Sequence, residues 1–157
     1  MIVKIKRLHP GAVIPRYATA GAAGFDLVAA ESAIIEPGET KTIRTGLAFE
    51  IPEGFEMQIR MRSGIAKRSK LRMPNSVATI DSDYRGEVFM LFENTRKPSD
   101  DSFRNATELA ECVRAGDRIA QAIIAPVMRV QFEEVAELSR TERGDGGFGS
   151  TGIREVK

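Results

Sequence analysis

Residues 77–92, VATIDSDYRGEVFMLF, have the grammar of a β-hairpin. An apolar run from Val77 to Ile80 meets the polar Asp81-Ser82-Asp83 and then Gly86, and a second apolar run, Val88 to Phe92, follows. The second run does not alternate, which fits a strand buried on both faces or one lining a subunit contact. Asp81 falls where the first strand ends. A carboxylate held there by a rigid scaffold can point into a cleft and take a proton from a water molecule. Asp and Ser are also turn formers, because their side chains cap nearby backbone N–H groups. The stretch alone leaves both readings open. A calcium loop is a poor fit: Asp81-x-Asp83-x-x-Gly86 starts like an EF-hand, but Arg85 and Phe92 stand where ligand oxygens are needed.

Upstream, short strand patterns recur between turns. Met1, Val3 and Ile5 alternate with polar neighbours, and two prolines and a glycine then make residues 7–15 a loop. Phe25-Asp26-Leu27-Val28 reads as a strand in which Asp26 is out of place unless it faces a polar site. Ile34-Ile35, the Pro37-Gly38 turn and residues 40–45 predict another hairpin. Leu47, Phe49 and Ile51 alternate, and Phe55, Met57, Ile59 and Met61 give the strongest strand signal in the chain. Short strands with turns about every ten residues predict an all-β sandwich or barrel. One stretch breaks the pattern. Residues 62–72, RSGIAKRSKLR, are rich in helix formers and predict one short helix with Ser63 near its start. A serine hydroxyl, free N–H groups and nearby arginines suit a phosphate, although a solvated basic turn accounts for the composition as well.

Downstream, residues 94–115 read as a polar surface excursion with a helical turn or two over 106–113. Residues 116–124, GDRIAQAII, predict a turn into a buried strand, with Asp117 and Arg118 able to pair with each other and Gln121 in need of a partner. Met128, Val130 and Phe132 alternate with Arg129, Gln131 and Glu133, predicting a last strand. Residues 140–157 differ in kind. RTERGDGGFGSTG is glycine-rich with one large apolar residue, Phe148, and cannot pack a core. Gly144-x-Gly146-x-x-Gly149 formally matches the dinucleotide fingerprint but lacks the strand-turn-helix unit it needs, and it is no Walker A loop, because Ser150 stands where the lysine belongs. Its N–H groups can wrap a phosphate, with Arg143 supplying charge and Phe148 a stacking face. The division expected is a barrel over residues 1–139 and a flexible arm over 140–157.

Composition narrows the function classes. The chain has 157 residues, 42% of them hydrophobic and 29% charged, which fits one soluble domain with a real core. A net charge of +1 does not favour nucleic acid or a membrane surface as partner. One cysteine, Cys112, and one histidine, His9, exclude an internal disulfide framework and a Cys/His zinc site. The start, MIVKIKRL, has no long apolar core and no cleavage signature, and no run approaches a membrane span, so the compartment expected is the cytoplasm.

Five stretches together resemble, in order, the five motifs of the trimeric dUTP pyrophosphatases (dUTPases). They are AGAAGFDL at 20–27, RSG at 62–64, N-x-x-x-x-I-D-S-D-Y-R-G at 75–86, GDRIAQ at 116–121 and RGDGGFGSTG at 143–152. Each is weak alone, but five in sequence are specific. The resemblance implies a jelly-roll-like, distorted β-barrel with one short helix, assembled as a homotrimer whose active sites are shared and closed by the C-terminal arm. It implies hydrolysis of dUTP to dUMP and pyrophosphate, with Mg²⁺ on the triphosphate. In residues, it implies Asp81 as the group that activates water. Asn75 and the backbone of Thr79, Ile80 and Asp81 read the uracil edge, bordered by Phe89. Tyr84 packs on the deoxyribose where a 2′-hydroxyl would clash. Arg62, Ser63, Gly64 and Gln121 hold the phosphates. Asp26 orients the arm arginine and the magnesium's water shell. Arg143 acts as an arginine finger, Phe148 stacks on uracil, and Gly149, Ser150 and Thr151 grip the γ-phosphate.

Three departures from the family pattern stand out. Met61 replaces the proline before Arg-Ser-Gly, Ala78 replaces a glycine three residues before Asp81, and the segment between Phe103 and Gly116 is longer than usual. That extra length is expected to be a surface feature away from the site. Among rivals, dCTP deaminase shares the fold, but the intact arm and the IDSDYRG stretch favour the pyrophosphatase, and a zinc deaminase lacks its ligands. A nucleotide-responsive regulator would use the 94–115 excursion as its partner surface. An oligonucleotide-binding barrel would need a basic groove with interleaved aromatics, whereas the aromatics here sit at core-strand spacing.

Overall fold

The computed structural model describes residues 1–75, 77–97 and 109–147. Its strands are β1 (Lys4–Arg7), β2 (Phe25–Val28), β3 (Ala33–Ile35), β4 (Thr40–Arg44), β5 (Leu47–Glu50), β6 (Phe55–Met61), β7 (Leu71–Arg72), β8 (Ala78–Ile80), β9 (Phe89–Asn94), β10 (Glu111–Val113) and β11 (Arg118–Pro126). Among the described residues one helix, α1 (Ser63–Arg68), is complete. Their architecture is mostly β, as the turn spacing predicted. All strand pairs are antiparallel. The sheets run β2-β11-β6-β8, β4-β9-β7, β1-β5 and β10-β3. Their inner faces share one core, in which Leu27, Ile43, Met57, Ile59, Met90 and Phe92 are all but sealed from solvent.

Strand β6 shows how sequence period becomes packing. Met57 and Ile59 point inward, and the outward row carries a polar ladder. Arg60 Nη2 donates to Gln58 Oε1 at 2.6 Å, and Gln58 Nε2 donates to Glu56 Oε1 at 2.7 Å.

Several pairings differ from expectation. Residues 77–92 do not form a hairpin: β8 pairs with β6, and β9 pairs with β4 and β7. The link between them is too long for a tight turn, and each strand finds its partner in a different sheet. The predicted hairpin over 34–45 fails in the same way. Its turn forms, with Gly38 at φ +77°, but β3 pairs with β10 and β4 with β9. Residues 111–113 are strand rather than helix, because they complete β3's edge. The last expected strand is absent. Val127 N still donates to Gly54 O at 2.8 Å, but residues 128–135 run on without strand pairing, and Met128, Val130 and Phe132 are 89%, 63% and 96% exposed. The alternation is real, but none of the described residues pairs with it as a strand. Within β9, burial does alternate: Val88, Met90 and Phe92 face the core, and Phe89 lies outside.

Two polar devices lock the sheets together. The first is Asn94, fully buried at the end of β9. Its Nδ2 donates to the carbonyls of Ile35 at 2.9 Å and Leu109 at 3.1 Å, and its Oδ1 accepts from Arg96 N at 3.1 Å. Its backbone holds the turn beside β3, accepting from Gly38 N and donating to Glu39 O. The second joins the 44–47 turn to residues 87–88. Arg44 forks onto Glu87 (Nε to Oε1 3.1 Å, Nη2 to Oε2 2.7 Å), and Gly46 N donates to the same carboxylate at 2.8 Å. Val88 N donates to Leu47 O at 2.8 Å, and Val88 O accepts from the buried Thr45 hydroxyl at 2.6 Å. Gly46 has φ +68°, and a Cβ there would press on His9 and Ala12, so only glycine fits this turn.

These devices give two predictions. Asn94→Ala strands two buried carbonyls and an N–H, so it should cost about 3 kcal/mol in denaturant unfolding at fixed protein concentration. A loss under about 0.5 kcal/mol would show that water replaces the amide. The Glu87 carboxyl is held below its ordinary 4.5, first by the Arg44 hydrogen bonds, with burial opposing and the Gly46 N–H assisting. A depressed carboxyl contributes stability that is complete above that ordinary value and lost as pH falls through the lowered one. Thermal melts from pH 7 to pH 3 should therefore fall less steeply for Glu87→Gln than for the parent; parallel curves would remove the clamp as a source of acid sensitivity.

Candidate active site

Residues 81–88 leave β8 in one sheet and enter β9 in another, and Asp81 is the first residue after β8. The link is braced internally. Tyr84 N donates to Asp81 O at 3.2 Å, Arg85 Nη1 donates to Ser82 O at 2.6 Å, and Tyr84 Oη donates to Glu87 O at 2.9 Å. Turn chemistry and an exposed, chemically available Asp81 carboxylate therefore coexist, because the turn uses Asp81's backbone carbonyl rather than its side chain. Asp81 and Thr79 line a cleft of about 580 Å³ with Glu53, Glu56, Asp83 and Arg129. Ile80 is half-buried beside them, and Asn75, Tyr84 and Phe89 are exposed around the link.

A second cleft lies at α1, lined by Arg62, Gly64, Arg68, Cys112 and Arg118 among others. The strand register explains its charges. Asp26 on β2 stands opposite Gln121 on β11, which stands opposite Arg60 on β6. Gly24 lets β2 lie this close, since a Cβ there would meet Ala122 O at 2.7 Å. Asp26 then resolves its odd place in an apolar strand. Its Oδ1 pairs with Arg62 Nε at 2.9 Å and its Oδ2 with Arg118 Nη1 at 3.2 Å, and Arg62 Nη1 donates to Arg118 O at 3.2 Å. The carboxylate thereby fixes two guanidinium groups at the cleft while neutralising only one charge.

Two expectations change here. Arg118 pairs with Asp26 and not with Asp117, whose Oδ2 instead accepts from Arg114 N at 2.8 Å. Ser63 opens α1 as expected, and Arg62 before it makes no side-chain cap bond. The long segment before Gly116 does not stay clear of the site, because Glu111, Cys112 and Val113 line the Arg62 cleft. Arg68 and Arg118 line this cleft as well, although the sequence motifs did not single them out as site residues. Arg68 reaches back to Gly64, where a Cβ would lie 3.3 Å from its Nη2. The signal available was the basic run ending α1, which has no acid in its first turn.

The Asp81 cleft and the Arg62 cleft share no lining residue. Gln121 is exposed on the outer face of β11, beside Asp26. Arg143 lines neither cleft; it closes a local turn in which its Nε donates to Gly146 O at 2.9 Å. Phe148, Gly149, Ser150 and Thr151 lie outside the described residues. Among the described residues no group of three or more His, Cys, Asp or Glu is arranged to hold a metal ion. With both Asp26 oxygens engaged by arginines, these residues fit a Mg²⁺ that arrives on phosphate groups better than one held by protein carboxylates alone.

Comparison with known proteins identifies the family. The dUTPase family model matches residues 11–152. A deoxyuridine 5'-triphosphate nucleotidohydrolase of Nautilia profundicola is 52% identical, over 97% of this chain and 99% of the relative. One from Helicobacter pylori strain J99 is 40% identical, over 99% of this chain and all of the relative. Among solved structures, the dUTPase of Staphylococcus bacteriophage 80alpha with dUPNHPP superposes with a TM-score of 0.88 at 28% identity, covering 97% of this chain and 99% of that one. Fold and sequence thus converge: the chain belongs to the dUTPase family.

Proposed function

We propose that the chain hydrolyses dUTP to dUMP and pyrophosphate, with Asp81 as general base. Asp81 accepts a proton from the attacking water, the water oxygen bonds to the α-phosphorus, and the bond from that phosphorus to the bridging oxygen breaks. Pyrophosphate leaves with the electron pair. The observation that carries this reading is an exposed carboxylate at the end of a strand on a loop braced at both ends. Phosphoryl transfer needs positioning and charge neutralisation more than covalent chemistry. Arg62 and Arg118, held by Asp26, supply fixed positive charge; Gly64 lines the same cleft, Ser63 precedes it at the start of α1, and Gln121 stands opposite Asp26 on β11. Asn75, the backbone of residues 79–81 and Phe89 take the uracil, and Tyr84 the deoxyribose. When bound, Mg²⁺ neutralises charge on the triphosphate.

The site is assembled from three chains in this reading. Base and phosphate grips lie in separate clefts of one chain, so a neighbour has to bring them together. The outward Phe89 and the bare apolar residues Met128, Val130 and Phe132 supply surface for such neighbours. The arm, residues 140–157, then closes over a neighbouring site with Arg143 at the phosphates and Phe148 on the base, while Gly149, Ser150 and Thr151 hold the γ-phosphate. The enzyme works in the cytoplasm.

Asp81→Asn should bind dUTP but lose about 10²–10⁴-fold in kcat, as expected for removal of a general base. Arg143→Ala, or a chain ending at Ser139, should lose about 10³-fold or more with the barrel still folded by circular dichroism. Product analysis with dUTP, dCTP, UTP and dTTP in Mg²⁺ checks the substrate. Near-normal turnover by Asp81→Asn would remove Asp81 as the base, and full activity without the arm would remove the lid.

A further inference from the structure

The link that carries Asp81 also carries Tyr84, and the two ends of this link are held very differently. Tyr84 is 43% exposed, and its ring folds back over Gly86. A Cβ at residue 86 would collide with the Tyr84 hydroxyl and Cζ, so the absence of a side chain there makes the ring's resting place. The only hydrogen bond from the Tyr84 side chain among the described residues runs from Oη to the backbone carbonyl of Glu87, at 2.9 Å. Where that carbonyl sits decides where the ring sits.

The carbonyl's place is set from below. The Glu87 side chain is 9% exposed and accepts three hydrogen bonds, two from Arg44 and one from Gly46 N. The next residue, Val88, is tied through its N–H to Leu47 and through its carbonyl to Thr45. A bidentate guanidinium–carboxylate pair fixes direction as well as distance. A half-buried clamp therefore orients an exposed ring through one backbone carbonyl.

We infer that Glu87, held by Arg44, is a positioning residue that keeps Tyr84 where it discriminates deoxyribose from ribose. The inference rests on the proposed packing of Tyr84 on the sugar. Steric rejection of an added hydroxyl needs a wall that does not move, and an exposed tyrosine freed from its anchor has other staggered rotamers open to it. Glu87→Gln keeps the shape and one acceptor but loses the charge that grips Arg44. It should relax selectivity more than it slows the chemistry.

The test is kcat/KM for dUTP and for UTP in the parent, Glu87→Gln, Tyr84→Phe and the double variant, with Tyr84→Leu as the sugar-face control. Glu87→Gln and Tyr84→Phe should each lower the dUTP-over-UTP ratio by about three- to tenfold, and the double variant should lose no more than the larger single one, because both break the same linkage. The change in kcat for dUTP should be smaller than the change in the ratio. Should Glu87→Gln fold poorly by circular dichroism, Arg44→Lys removes the fork and keeps the cation, and the same fall in the ratio is expected. An unchanged ratio in the folded variant overturns the inference, as does a double variant whose losses multiply. If Tyr84→Leu leaves the ratio unchanged, the sugar-face reading itself fails and the inference with it. Loss of selectivity in Tyr84→Leu but not in Glu87→Gln or Arg44→Lys defeats the positioning role alone.

Discussion

Residues 81–88 have to leave one sheet, enter another and hold a carboxylate still on the way. An unsupported loop of that length would lose its geometry to conformational entropy. Here the far end is riveted to the 44–47 turn by a fork of charge-assisted hydrogen bonds and by both backbone groups of Val88. That junction in turn depends on Gly46, the residue type that tolerates the turn's φ and the pressure of His9 and Ala12. The near end is β8, hydrogen-bonded to β6. Exposure of the Asp81 carboxylate and rigidity of its backbone are thus separate achievements, supplied by different parts of the chain.

The second site feature follows a different logic. Two arginines facing one cleft repel each other, and long side chains cost entropy to fix. Asp26 answers both problems from an adjacent strand, with one oxygen on each guanidinium. Positive charge remains in excess, which a triphosphate can use. This cleft and the Asp81 cleft are distinct on one chain, and the apolar residues beyond β11 stand exposed.

Much of this was legible in the residues. The alternation over 55–61 gave β6 and its inward Met57 and Ile59, the RSGIAKR run gave α1, and the misfit of Asp26 in an apolar strand marked a polar site. What failed was pairing. Val77–Ile80 and Val88–Phe92 look like hairpin partners because they are neighbours in sequence, yet each meets a better match elsewhere, and residues 111–113 become strand only because β3 offers an edge. Glu87 gave no signal at all, since a glutamate after Gly86 reads as surface until Arg44 is seen beneath it.

By itself, the sequence determined the strand-rich class, the short helix after Arg62 and the family, because side-chain period, turn formers and motif spacing are local along the chain. Only the tertiary structure decided which strands pair, that Arg118 rather than Asp117 pairs with Asp26, that the Glu87 carbonyl receives the Tyr84 hydroxyl, and that Asp81 and Arg62 line two separate clefts. Those facts depend on contacts between residues far apart in sequence, and a one-dimensional pattern carries no term for them.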